Sequence, residues 1–315
     1  LIKSNNYHFY SNGGFQKYVI DCIGNSMETW LQDESRERDL VQFLSKSLKD
    51  EIKSEPLNYK CIVPVTGVGL KEPFEANPVK FYPYEDKEKV INVLQEKTGQ
   101  KLLDARFKSN FSVVELFAKS SRNAAELAIE IVRGTLDALQ VLKGNLDYPF
   151  ALFAGDLPIQ RSIESIALSN VDGITAYDVD NFPAPLMLNK KIHNPYLDEI
   201  GNIQQKMIKQ TKLTILERNF YNANRLISQG IASDITDIRF TNLMSSVEAL
   251  VEQKRLDQSI TTQISESVAI LIGQNAEQKL KIFEDMKRLY KIRSDVAHGE
   301  ITYISMLRII RLMVL

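Results

Sequence analysis

The sequence predicts an α+β chain, with an N-terminal mixed α/β domain over residues 1–194 followed by an all-α helical bundle over 195–315. Three observations predict it. The stretches "YKCIVPVTGVGL", "VKFYPY" and "FSVVELFAK" are rich in β-branched and aromatic residues, and all lie in the first 120 positions. Residues 144–195 hold five of the ten prolines, which marks turns and a connector. Beyond Pro195 the apolar residues recur at three- and four-residue spacing, the period of a helix with one buried face. A length of 315 residues suits one large or two ordinary domains.

In chain order, "RDLVQFLSKSLKDEI" places Leu40, Phe43, Leu44, Leu48 and Ile52 at helical spacing. "YKCIVPVTGVGL" follows, broken by Pro64, Gly67 and Gly69, and reads as a strand or two with a turn. "VKFYPY" is a further strand. In "FSVVELFAK", Ser112, Val114, Leu116 and Ala118 alternate with Phe111, Val113, Glu115 and Phe117. Apolar residues on both faces predict a strand covered by a helix. That helix is "NAAELAIEIVRGTLDALQVL", where Ala124, Leu127, Ala128, Ile131, Thr135, Ala138 and Leu142 form one stripe. Ser120 or Ser121 suits its cap. "GDLP", "DNFPAPL" and "HNPY" are read as peripheral strands and the connector.

The second part begins with one or two helices in "NIQQKMIKQTKLTILERNFYNANRLIS". "SDITDIRFTNLMSSVEALVEQK" is next, its start suited to capping by Asp234 or Asp237. Its stripe is Phe240, Leu243, Met244, Val247, Leu250 and Val251. "TTQISESVAILIG" supplies Ile264, Val268, Leu271 and Ile272 and stops at Gly273. "AEQKLKIFEDMKRLYKIRSDVAHG" supplies Leu280, Phe283, Met286, Leu289, Tyr290 and Val296 and stops at Gly299. "MLRIIRLMVL" is the last helix. Short loops between such helices predict an up-down bundle. No internal repeat or low-complexity tract interrupts it.

Composition narrows the function classes. Apolar content of 44% and charged content of 25% belong to a soluble globular chain. A net charge of -1 lacks the field of a protein that coats nucleic acid, but leaves room for a local grip on a few phosphates. Cys22 and Cys61 are too few for a disulfide framework or a Cys-rich metal site, which fits a reducing cytoplasm. No run approaches the roughly 18 apolar residues of a membrane span. "YISMLRIIRLMVL" is short and carries Arg308 and Arg311, so a buried terminal helix is expected there. No signal peptide is visible. A start on Leu1 and a stop on Leu315 read as a piece of a longer chain, or as one with segments omitted.

Histidine is scarce: His8, His193 and His298 are all there are. His298 lies five positions after Arg293 in "YKIRSDVAHGE", at the tail of a core helix. One reading is structural. His298 would then be a cation at a helix C-terminus, favourable by roughly 0.3–1 kcal/mol. Gly299 would be its left-handed cap, and Arg293 would pair with Glu252, Asp295 or another carboxylate. The other reading is chemical. Residues five apart on a helix are rotated by about 140° and offset by about 7.5 Å, so the pair does not share a narrow stripe within one chain. They converge if the long arginine side chain swings toward the helix end, or if two copies pack about a two-fold axis and bring two arginines and two histidines to one cleft. That set suits phosphodiester chemistry, guanidinium holding phosphate and imidazole moving protons near neutral pH. Ser294, one turn before His298, is placed to orient it.

"LYKIRSDVAHG" resembles the last conserved helix of HEPN domains of the Apea-like group, and "FTNLMSSVEALVE" resembles an upstream helix of that group, with Glu248, Ala249 and Leu250 at its glutamate–alanine–leucine step. The resemblance spans about Leu213 to Leu315. "VPVTGVGL", "EPFEANPVKFYP" and "VVELFAKSSRNAAELA" are similar, more loosely, to the leader domain that often precedes such modules. The final helix follows His298 sooner than the family's usual loop allows, which points to a loop missing beside Ile301. The resemblance implies a dimeric RNase that needs no metal or other cofactor and leaves 2′,3′-cyclic ends. It implies Arg293 as phosphate ligand and His298 as acid or base, with Ser294, Tyr290 and Glu248 in support. Implied partners are single-stranded RNA or tRNA loops, a second copy of the chain, and a phage-derived trigger or partner protein, in defence or toxin-like roles. Other members keep the fold without activity and bind RNA, nucleotide or protein instead.

The remaining motifs carry less. "TGVGL" has neither the third glycine nor the lysine of a phosphate loop, and reads as a turn. Cys22 has no histidine partner and reads as a buried thiol. His193 reads as a linker residue. Glu284 and Asp285 are adjacent on a helix and point apart. Lys279, Lys281, Lys287, Arg288 and Lys291 alternate with acids and read as a solvated face, although Lys287 and Lys291, one turn apart, are placed to flank a nucleic-acid cleft.

Overall fold

A computed structural model describes residues 23, 43, 46, 56–98, 108–119, 121–143, 152–154, 162–169, 173–180, 186–188, 194–233, 235–251 and 258–298. His8, Cys22, His193, Gly299 and the expected helix of 306–315 lie outside them, as does the expected helix of 38–52 apart from Phe43 and Lys46, which are helical. Among the described residues the fold is mixed α+β. The strands are β1 (Leu57–Thr66), β2 (Val68–Leu70), β3 (Phe74–Ala76), β4 (Val79–Tyr82), β5 (Phe111–Ala118), β6 (Phe153–Ala154), β7 (Ser162–Ser169), β8 (Gly173–Asp180) and β9 (Leu186–Leu188). The helices are α1 (Lys87–Thr98), α2 (Ser121–Lys143), α3 (Pro195–Ile208), α4 (Ile215–Ala232), α5 (Thr236–Leu250), α6 (Ile260–Ile272) and α7 (Ala276–Ala297).

The main sheet is antiparallel in the order β3-β4-β5-β1-β6. β1 and β5 pair from Leu57 opposite Ala118 to Pro64 opposite Phe111. The break foreseen in "TGVG" falls at Gly67, whose φ of 85° lies in the left-handed region where a Cβ is strained. Its carbonyl accepts from Leu186 N–H at 2.9 Å, where β2 meets β9 in parallel. β7 and β8 form a separate antiparallel pair.

The expectation that β5 is apolar on both faces and covered holds along one face and, on the other, only at its start, where Phe111 is buried. Val114, Leu116 and Ala118 are buried, whereas Phe117 is 46% exposed. Glu115, on the open face, accepts from Asn58 at 2.8 Å and pairs with Lys60 at 3.7 Å. Strand alternation turns every second side chain away from the covering helix.

That helix, α2, is the centre of the larger apolar cluster. Ala124, Ala128, Ile131 and Ala138 of its foreseen stripe are joined by Val132, Leu136 and Leu139, giving a buried arc wider than one stripe. The width follows from two neighbours, the sheet on one side and α3 and α4 on the other. Gly134 permits the second contact: a Cβ there would lie 2.0 Å from the Tyr221 hydroxyl oxygen. Polar groups trapped in this layer are mutually satisfied. Gln204 donates to the Ile131 carbonyl at 2.8 Å, Thr135 donates to Gln204, and Asn224 donates to the Gly134 carbonyl at 3.2 Å.

The change of texture at Pro195 is not an edge of this core. α3 starts there by capping, with Asn194 accepting from Tyr196 N–H at 2.9 Å. Its Leu197, Ile200 and Ile208 nevertheless belong to the same cluster as the sheet. α4 opens with a Thr214/Glu217 capping box, faces α2 through Ala223, Asn224 and Ser228, and at Gly230 packs against Leu243 of α5.

α5, α6 and α7 build a second cluster from Phe240, Met244, Val251, Ile264, Met286, Leu289 and Tyr290. Six residues assigned to inward stripes are outside it, Leu243 and Phe283 among them half-buried. Leu250 is 39% exposed, and Leu271, Ile272 and Leu280 are 64–74% exposed. α6 is apolar on nearly every side near its end, so periodicity there does not select a face. The expected caps also differ. Ile235 occupies the N-cap of α5 with no side-chain cap bond, and Gly273 ends α6 in extended backbone, φ -78°, not left-handed. No helix among the described residues is long and apolar enough to cross a membrane.

One half-buried group of α2 carries a pH signature. Burial pushes the Asp137 carboxyl up to about 6, against a hydrogen bond from Ser228 and the charges of Arg133 and Arg225. The unfolded chain releases that proton near 3.9, so between about pH 4 and 6 the native state binds more protons and stability falls as pH rises. Asp137→Asn should therefore gain on the native chain as pH climbs through that window, measured by urea unfolding at fixed ionic strength. A pH-independent difference would contradict the assignment.

Candidate functional site

Helix α7 carries the "YKIRSDVAHG" residues. It opens on Asn275, whose side chain accepts from Gln278 N–H at 2.9 Å. Its inward seam runs Ile282, Met286, Leu289 and Val296. The spacing of four, three and then seven leaves one seam position between the last two, and Arg293 occupies it. A guanidinium is thereby drawn against the core, and the sequence supplies its partner from α5. Arg293 Nη2 lies 3.5 Å from Glu248 Oε1, with side chains 33% and 25% exposed.

Glu248 is held in turn by Tyr290, whose hydroxyl donates to the same Oε1 at 2.7 Å. Burial raises the Tyr290 hydroxyl far above the usual phenol range, and the Glu248 carboxylate raises it further. It therefore stays a donor throughout the range in which proteins are handled. Arg293 Nε is buried with no hydrogen-bond partner. Tyr290, Glu248 and Arg293 thus form one braced unit that links α5 to α7, and the guanidinium has capacity left over. Tyr290→Phe should cost about 1.5 kcal/mol, the low end for a bond to a charged group because Glu248 is partly solvated. Chemical denaturation checks this; an unchanged midpoint would show that the bond adds nothing.

His298 is the C-cap of α7, with φ -90° and ψ 0°. Its backbone N–H donates to the Ser294 carbonyl at 3.0 Å, so Ser294 meets His298 through main chain. Both residues are exposed. The rotation of about 140° expected between Arg293 and His298 shows as one residue on the seam and one in solvent. Lys287, Lys291, Ser294 and His298 follow at spacings of four, three and four and are all exposed. They form one polar stripe, about 16 Å long, with Lys287 Nζ 5.3 Å from the Phe283 ring. The sequence reading paired Lys287 with Lys291 and Ser294 with His298; the face that all four share needs the helix to run unbroken to Ala297.

The structure therefore joins three of the expected residues and leaves His298 beside them, on the outer face of the same helix end. Glu248, foreseen as support, is the carboxylate that Arg293 was expected to find. Among the described residues, no three His, Cys, Asp or Glu side chains gather as a metal would require. Compared with protein-family models, curated proteins and solved structures, the chain matches none.

Proposed function

We propose that this chain is an endoribonuclease of HEPN type that cuts RNA without a metal and acts as a dimer, its α/β part leading into a HEPN bundle. The supporting observation is the Tyr290–Glu248–Arg293 brace, its arginine side chain one-third exposed, beside the exposed Lys287–Lys291–Ser294–His298 stripe. The lysines attract the phosphate backbone. The braced guanidinium meets negative charge as it develops on phosphorus. The RNA 2′-oxygen bonds to the adjacent phosphorus while its proton passes to one imidazole. The bond to the 5′-oxygen breaks, and that oxygen takes a proton from the imidazole of the second copy. The products are a 2′,3′-cyclic phosphate and a free 5′-hydroxyl. Apolar side chains left bare at the α6–α7 turn, Ile270, Leu271, Ile272 and Leu280, are material for the contact between copies.

Incubating the purified chain with single-stranded RNA and a tRNA in EDTA, and mapping product ends, tests the proposal. Cyclic phosphate ends that vanish in His298→Ala, at an unchanged melting temperature, are expected. A second reading has one observation in its favour: Glu248 already neutralises Arg293 within the chain. In that reading the module binds RNA, nucleotide or protein and does not cut. Tight RNA binding with no cleavage in any buffer would select it.

A further inference from the structure

A second site lies away from α7, in a cleft of about 760 Å³ between α2 and α4. Two helical faces form its walls. On α2, Glu126, Glu130, Arg133 and Asp137 follow at four, three and four residues; on α4, Arg218, Tyr221 and Arg225 follow at three and four. Opposite charges thus face each other across the cleft, yet no carboxylate of the described residues is within ion-pair distance of Arg133, Arg218 or Arg225. All three arginines are exposed. Gly134 and Tyr221 close the base, the Tyr221 hydroxyl donating to the Glu130 carbonyl at 3.2 Å.

The turn between α3 and α4 adds an acceptor. Gln210 has φ 57°, the left-handed residue that closes α3, with Thr211 N–H donating back to the Lys206 carbonyl at 2.8 Å. Its amide nitrogen donates to the Phe117 carbonyl at 3.3 Å, which fixes the orientation of the amide and leaves Oε1 buried with no partner. Leu127 and Met207 supply apolar wall. The volume falls in the range of small-molecule sites, roughly 300–1,000 Å³. Guanidinium groups from two helices match the bidentate geometry of phosphate, the apolar wall matches a flat ring, and an orphan carbonyl oxygen matches a ring amine. An inorganic anion would use only the first of these, and an uncharged metabolite only the last two.

We infer that the cleft between α2 and α4 binds a nucleoside phosphate, its phosphates on Arg133, Arg218 and Arg225 and its base edge on Gln210. The site is separate from the α7 stripe and does not depend on RNA cleavage. Calorimetric titration of the full-length chain with ATP, ADP, pyrophosphate and adenosine tests it. ATP or ADP should bind at one site per chain, and more tightly than either pyrophosphate or adenosine. Arg218→Ala and Arg225→Ala, both at exposed positions, should each weaken binding by about tenfold or more, whereas His298→Ala should leave it unchanged. Gln210→Leu should reduce the preference for nucleotide over pyrophosphate. The inference is overturned if no nucleotide binds at millimolar concentration, or if binding survives both arginine changes. Equal affinity for pyrophosphate, or loss of binding in His298→Ala, overturns it as well.

Discussion

His298→Ala should lower RNA cleavage by about 10²–10⁴-fold, the usual contribution of a positioned acid or base, with little effect on stability. The structural half of that expectation comes from its place: His298 is exposed at the C-cap, and its bond to Ser294 is made by main chain, which alanine keeps. Arg293→Ala should also cost activity, by about 10²–10³-fold if its guanidinium meets the transition state, but it should cost stability too. The change leaves Glu248 without its ion pair, although still bonded to Tyr290. The two variants are therefore separable by pairing cleavage rates with melting curves. Arg293→Lys sharpens the contrast, because an ammonium keeps the charge but not the planar fork; it should recover more of the stability than of the rate. Mixing His298→Ala with Arg293→Ala chains tests the dimer, since one intact arginine and one intact histidine in a shared cleft should restore part of the activity. Cleavage by His298→Ala at the native rate would remove the nuclease proposal outright.

What the sequence revealed, and what it hid, follows from which signals are local. The β5–α2 step was legible because alternation and helical spacing are each written within about twenty residues; the caps at Asn194, Thr214 and Asn275 are just as local, yet the sequence reading did not name them. The membership of α3 in the sheet's core was hidden: Leu197 and Ile200 look the same whether they face a sheet or a bundle. A cut made at Pro195 on grounds of texture would strip these side chains of their partners. At the site, Arg293 and His298 were readable as a short motif. The identity of Arg293's partner was not, because Glu248 lies 45 positions away and reaches it only once α5 and α7 pack. The cleft between α2 and α4 was hidden for the same reason. Its arginines read as ordinary exposed charges until two helices separated by more than seventy residues lie side by side.

Phe240→Ala should have the largest effect on folding, about 3–5 kcal/mol, against a total that for most proteins is only about 5–15 kcal/mol. Phe240 is fully buried in the second cluster, where Met244, Ile264, Met286, Leu289 and Tyr290 surround it. Among the described residues this cluster is the smaller of the two and has few side chains with which to close a void. The loss should also be local. The two clusters share no residue, and α4 touches both sides, through Asn224 toward α2 and Gly230 toward Leu243. Hydrogen exchange resolves this. Amides of α5 and α7 should lose protection by about 10²–10⁴-fold, while those of β5 and α2 keep theirs. Equal loss in both regions would mean that α4 welds the clusters into one cooperative unit. In that case the Tyr290–Glu248–Arg293 brace would feel any event that loosens the sheet, and occupancy of the α2–α4 cleft would have a direct mechanical route to α7.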